Sequence, residues 1–125
     1  MKLLYLVCGG AIGTILRYCV YLLYEKRNFQ GFPYATITVN LIGSLIIGIA
    51  FGILQKTNMP INLKIFLFVG ILGSFTTFST YAIDALQLIL SNQNKTAIVY
   101  ILASNIFGLL LAYGGYIAGS SFTTK

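Results

Sequence analysis

The sequence has no histidine and no tryptophan, and its only acids are Glu25 and Asp84. Charged residues make up 8% of its 125 residues, against roughly 25% in an ordinary soluble domain. Two acids, two cysteines and no imidazole cannot assemble the acid–base pair of a usual hydrolase, a zinc site or a di-metal site. Cys8 and Cys19 are eleven residues apart on one predicted helix, roughly 16 Å along its axis. A disulfide needs Cα atoms within roughly 7 Å, so both read as small apolar side chains. The formal charge of +6 comes from scattered Lys and Arg. No basic cluster tracks a nucleic-acid backbone, and cations flanking membrane segments explain the excess. No cleavable leader is expected, because residues 3–24 are long enough to span and no small-residue cleavage site follows a short apolar core.

What the chain does have is apolar length: 58% of its residues are hydrophobic. About 20 helical residues cross the roughly 30 Å hydrocarbon core. Four stretches qualify, 3–24, 34–55, 64–90 and 97–119. The short polar loops EKRNFQGFP, QKTNMPINLK and SNQNKT separate them, with Gly31, Pro33 and Pro60 as breakers. The fold class is therefore an all-α membrane protein of four transmembrane helices in a single domain over 1–125. Lys2, Lys56, Lys64 and Lys125 fall on one side, and Lys26, Arg27 and Lys95 on the other. Four against three is almost no orienting bias. It fits either one weakly set orientation or insertion both ways with assembly of an antiparallel pair.

Residues spaced every four positions, most of them small, form one stripe along each of three spans: Asn40, Ser44, Gly48 and Gly52; Gly9, Gly13 and Arg17; Ser104, Gly108 and Ala112. Such stripes let helix backbones approach closely in lipid. Spans two and four also share Asn-x-x-Gly, in TVNLIGSLIIG and ASNIFGLLLAY, which suits two similar helices with related roles.

A few polar residues are costly at membrane depth. Arg17, well inside the first span, costs roughly 2.5–3.5 kcal/mol on insertion scales. It either snorkels to an interface or faces a water-filled vestibule and attracts anions; Asp84 is the one acid within the membrane that could pair with it. Asn40 serves as glue between helices or as an anion donor. The stretch GILGSFTTFST at 70–80 places Gly70 and Gly73 before a run of hydroxyls. It reads as a mild kink, or as a break in the third helix whose freed carbonyls suit a monovalent cation. Phe75 and Phe78, three apart, are expected to share a face. They are lipid-facing or core rings, or their positive edges line an anion path beside Thr76, Thr77, Ser79 and Thr80.

Taken together, GGAIGTILRY at 9–18, TVNLIGSLIIG at 38–48 and GILGSFTTFSTY at 70–81 resemble the Fluc (CrcB) fluoride channels over essentially the whole chain. The resemblance implies a passive fluoride channel of the bacterial inner (plasma) membrane, not an enzyme. It implies an antiparallel, dual-topology dimer of two copies with two pores. Phe75 and Phe78 would line the pores, Asn40 would point toward fluoride, and Thr76, Thr77 and Ser79 would form a polar track. Arg17 would belong to the aqueous vestibule. Carbonyls of Gly70 and Gly73 from each chain would hold a structural Na⁺. Asp84 falls where many relatives carry glutamate and receives no role, and Tyr100 and Tyr113 both remain candidates for a pore aromatic. A homodimer is favoured over pairing with an unlike copy. Two other readings compete. A small multidrug exporter needs a carboxylate deep in the first span, which holds Arg17 instead. A non-transporting membrane assembly subunit explains the small-residue stripes but not the clustered hydroxyls.

Overall fold

The computed structural model describes residues 1–25, 31–55 and 57–122. Of the residues in the charge count, Lys26, Arg27, Lys56 and Lys125 lie outside them. The described chain forms α1 (Lys2–Glu25), α2 (Tyr34–Leu54), α3 (Ile61–Lys64), a wide-wound π segment (Ile65–Leu72), α4 (Gly73–Phe75), α5 (Phe78–Leu90) and α6 (Asn94–Ser121). Among the described residues four stretches are long and apolar enough to cross a membrane: α1, α2, Ile61–Leu90 and α6. They lie within a few residues of the four expected spans.

Helix ends follow the local sequence. Pro60 precedes α3 and Pro33 precedes α2, where a missing amide hydrogen costs nothing. The α5–α6 turn closes through Asn92 at φ 59°, with Gln93 N–H bonded to the Leu88 carbonyl. Asparagine is among the few side chains that adopt this conformation readily.

The spans pack as two parallel pairs. Between α2 and α6, the most extensive helix contact in the fold, backbone meets backbone. A Cβ on Gly48 would sit 2.1 Å from the Ala112 carbonyl oxygen, and one on Gly119 would sit 2.2 Å from that of Ile49. In the other pair, α1 lies against the π segment and α4, where Gly9 and Gly70 oppose each other Cα to Cα. Tyr21–Thr36 and Tyr24–Thr38 hydroxyl contacts, both 2.8 Å, tie α1 to α2. A small core of Ala85, Leu88, Ala97 and Tyr100 joins α5 to α6 under Phe32. Much of the remaining surface is apolar, with Val7, Leu109 and Leu110 largely exposed, which is what a lipid environment accepts.

Candidate functional site at the break in the third span

The third span does break, but not at its glycines. Gly70 belongs to the π segment, and Gly73 is helical at φ −65°, ψ −31°. The chain leaves the helix at Thr76 (φ −79°, ψ 158°) and Thr77 (φ −149°, ψ 117°), and α5 starts afresh at Phe78. The expectation that Gly70 and Gly73 form the break is therefore corrected. Glycine lowers helix propensity by only about 1 kcal/mol, whereas a break at membrane depth needs new partners for the freed backbone.

Those partners are side chains. Asn40 clamps Thr77 from α2: its Nδ2 donates to the Thr77 carbonyl at 3.0 Å, and its Oδ1 accepts from the Thr77 amide at 2.8 Å. The Thr77 hydroxyl oxygen caps α5 by accepting from the Thr80 amide at 3.2 Å. In a continuous helix the amides of Thr77 and Thr80 would bond the carbonyls of Gly73 and Thr76. Both amides are engaged elsewhere, so those two carbonyls lose their regular donors. The Gly70 carbonyl has a donor in the Gly73 amide, which it shares with the Phe68 carbonyl. The break thus presents the carbonyl end of one short helix and the amide end of another, partial charges of opposite sign side by side.

A donor count separates the hydroxyls. Thr76 spends its hydrogen on the Leu72 carbonyl at 3.0 Å, and Thr77 spends its own on Thr80 Oγ1 at 3.0 Å. Ser79 lies 3.3 Å from Thr77 Oγ1, a weak contact, and is exposed. With the Thr77 hydrogen spent, that contact can only be Ser79 donating to Thr77 Oγ1, so among the described residues Thr80 is the hydroxyl of this run that retains a hydrogen for another acceptor, and Asn40 keeps one of its two amide hydrogens. Asn40, Ser44, Phe68, Gly73, Thr77 and Phe78 help to line an open cavity of about 330 Å³ beside the break.

Phe75 and Phe78 do not share a face. Phe75 ends α4 and is buried, with Gly43 beneath its ring. Phe78 opens α5 and is 79% exposed. The extended residues between them turn one ring inward and the other outward, and helical spacing across a break does not predict this. The outward ring pairs instead with Tyr81, at a centroid distance of 5.4 Å, and Tyr81 pairs in turn with Tyr100 at 5.4 Å. Tyr100 is fully buried and its hydroxyl lies 3.4 Å from Asp84, whereas Tyr113 is 65% exposed. This separates the two tyrosines that the sequence left equal. Arg17 is partly buried on α1 and forms no ion pair or hydrogen bond among the described residues. Asp84, the candidate partner for it, instead faces Tyr100 and two cavities near Phe32 and Pro33.

Sequence reasoning gave no role to Tyr81 or Asn105. Asn105 Nδ2 donates to Tyr81 Oη at 2.9 Å. The signal was present in the Asn-x-x-Gly repeat: Asn40 of α2 and Asn105 of α6 reach the third span at Thr77 and Tyr81, one turn apart.

Comparison with known proteins agrees with this architecture. Residues 4–116 match the family model described as "CrcB-like protein, Camphor Resistance (CrcB)". The chain is 40% identical over 124 residues to a protein of Parabacteroides distasonis named fluoride-specific ion channel FluC, covering 99% of this chain and 97% of that one. Proteins of the same name from Flavobacterium psychrophilum and Helicobacter pylori strain J99 are each 41% identical, over 90% and 92% of this chain and 92% and 91% of theirs. With four helices able to span, the chain is a multi-pass bacterial membrane protein.

Proposed function

We propose, from the premise that this chain belongs to the CrcB-like family, that it is a fluoride-selective channel rather than an enzyme, carrying F⁻ passively out of the cell. The observation that carries the reading is the polar break facing an apolar surroundings: a helix amino terminus, unspent hydroxyl and amide hydrogens, and the exposed ring of Phe78 at one place. Oriented amides and hydroxyls replace part of an anion's hydration shell, and ring edges add attraction without a full opposite charge. Conduction requires binding that is favourable enough to enter and weak enough to leave. Phe78 and Asn40 fit the pore roles directly. Phe75, Thr76 and Thr77 act by shaping the break, since Phe75 is buried and both threonine hydroxyls are spent.

The physiological logic follows from acid–base chemistry. HF crosses the bilayer uncharged and dissociates in the less acidic cytoplasm. A negative-inside potential then drives the trapped anion out through any selective passive path.

The unit is an antiparallel homodimer with two pores. The four-to-three Lys and Arg balance supports this, as does an exposed Phe78 that needs a second wall. A reporter fused at the C-terminus should be accessible from both sides of the membrane; labelling from one side alone contradicts the arrangement. Na⁺ is the structural cation. The chemistry of the donor set favours Gly73 and Thr76 carbonyls over Gly70, whose carbonyl has a donor in the Gly73 amide. When bound, the ion supplies fixed positive charge against the carbonyl dipoles. Replacing Na⁺ by N-methylglucamine should lower Tm by about 5 °C; an unchanged Tm contradicts a resident Na⁺.

The channel reading is tested by efflux from liposomes loaded with KF, with valinomycin carrying K⁺ and KCl-loaded vesicles as control. Rapid fluoride loss without chloride loss is expected. Equal loss of both ions, or none, contradicts it.

A further inference from the structure

The second asparagine of the repeat does something specific to Tyr81. Asn105 Nδ2 has two hydrogens, and both are committed: one to the Ile101 carbonyl at 2.8 Å, the other to Tyr81 Oη at 2.9 Å. A carbonyl only accepts, so Ile101 fixes the amide with its nitrogen toward the phenol. Tyr81 is thereby forced to accept, and its own hydrogen is left to donate. A hydroxyl that accepts one hydrogen bond is polarised into a stronger donor in the next. Among the described residues Tyr81 has no acceptor for that hydrogen. Its ring is also held from two sides, by Phe78 at 5.4 Å and 42° and by Tyr100 at 5.4 Å and 40°. The donor is therefore oriented, one turn beyond the break and against the exposed ring of Phe78.

We infer that the Tyr81 hydroxyl is a fluoride-contacting donor and that Asn105 is the positioning residue that keeps it available, the pair adding to the preference for fluoride over larger halides. The inference rests on the fluoride-channel reading. Fluoride is the strongest hydrogen-bond acceptor of the halides, so an oriented O–H favours it more than chloride. A ring edge alone discriminates less. Asn40 and Asn105 then play matching parts: one α2 amide holds the backbone of the break, and one α6 amide orients a donor beside it.

The test uses the full chain in liposomes: wild type, Tyr81→Phe, Asn105→Ala and the double variant, at sub-saturating fluoride and in parallel with chloride. Tyr81→Phe keeps the ring and removes the hydroxyl, and an unchanged size-exclusion profile verifies the assembly. Its fluoride flux should fall about tenfold, as for loss of a hydrogen bond to an ion, with no matching loss for chloride. Asn105→Ala should fall severalfold, and the double variant should match Tyr81→Phe alone. Wild-type flux and selectivity in Tyr81→Phe would overturn the inference. A further loss on adding Asn105→Ala to Tyr81→Phe would overturn the positioning role, because Asn105 would then act independently of the hydroxyl. Absence of fluoride efflux from the wild type would overturn the channel reading and the inference with it.

Discussion

The α2–α6 seam and the third span both hold glycine and small polar residues, but they use them differently. At the seam, Gly48, Gly52, Gly115 and Gly119 let two backbones touch, and both helices run on unbroken. In the third span Gly70 has the same duty against Gly9, while the helix gives way at two threonines. The difference lies in where the lost backbone bonds can be replaced. Gly70 is packed against the Gly9–Gly10 backbone of α1, whereas Thr77 meets both ends of the Asn40 amide and supplies its own cap. In lipid, a helix breaks where side chains can receive its freed groups rather than where its propensity is lowest. The seam is a scaffold, and the break is the site that the scaffold holds open.

The largest effect that would sharpen this contrast is at the seam. In Gly48→Leu the new Cβ would meet the Ala112 carbonyl oxygen at 2.1 Å, backbone that cannot swing aside. The cost should reach at least about 3 kcal/mol, and no monodisperse protein should be recovered. Normal yield and elution would show that the seam is slack. Next comes Asn40→Ala, which removes both bonds to Thr77 while leaving the seam intact. Protein should still purify, with fluoride flux down about 100-fold from the loss of two partly buried hydrogen bonds; near-normal flux would mean that the break holds itself. The smallest effect is expected at Thr76→Val, an isosteric change at a hydroxyl already bonded back to Leu72. Flux should change by less than about twofold. A large loss would return Thr76 to direct contact with the ion.

Much of this was legible in the residues. The four spans follow from apolar length, and the small-residue stripes correctly marked α1, α2 and α6 as closely packed helices. The location of the break was not legible from glycine content, because its cause is a contact between residues 37 apart in sequence. A local signal was available, since Thr77 with the Thr80 amide three residues on is an ordinary helix N-cap in front of an apolar run. The pairing of Phe75 with Phe78 failed for the same reason. Helical spacing holds only where the helix continues, and two extended residues between the rings turn one inward and the other outward. The sequence offered Asp84 as the one acid within the membrane that could pair with Arg17, and in the fold Asp84 faces Tyr100 instead.

The most direct measurement is fluoride efflux from KF-loaded liposomes for Phe78→Ile and Phe75→Ile side by side with wild type. Phe78→Ile should elute like wild type and lose most of its fluoride flux, because only the outward ring edge is removed. Phe75→Ile should instead show lowered thermal stability, by about 1–3 kcal/mol for a reshaped buried site. Unimpaired flux in Phe78→Ile, with well-assembled protein, would contradict the claim that the outward face of this break is the anion path.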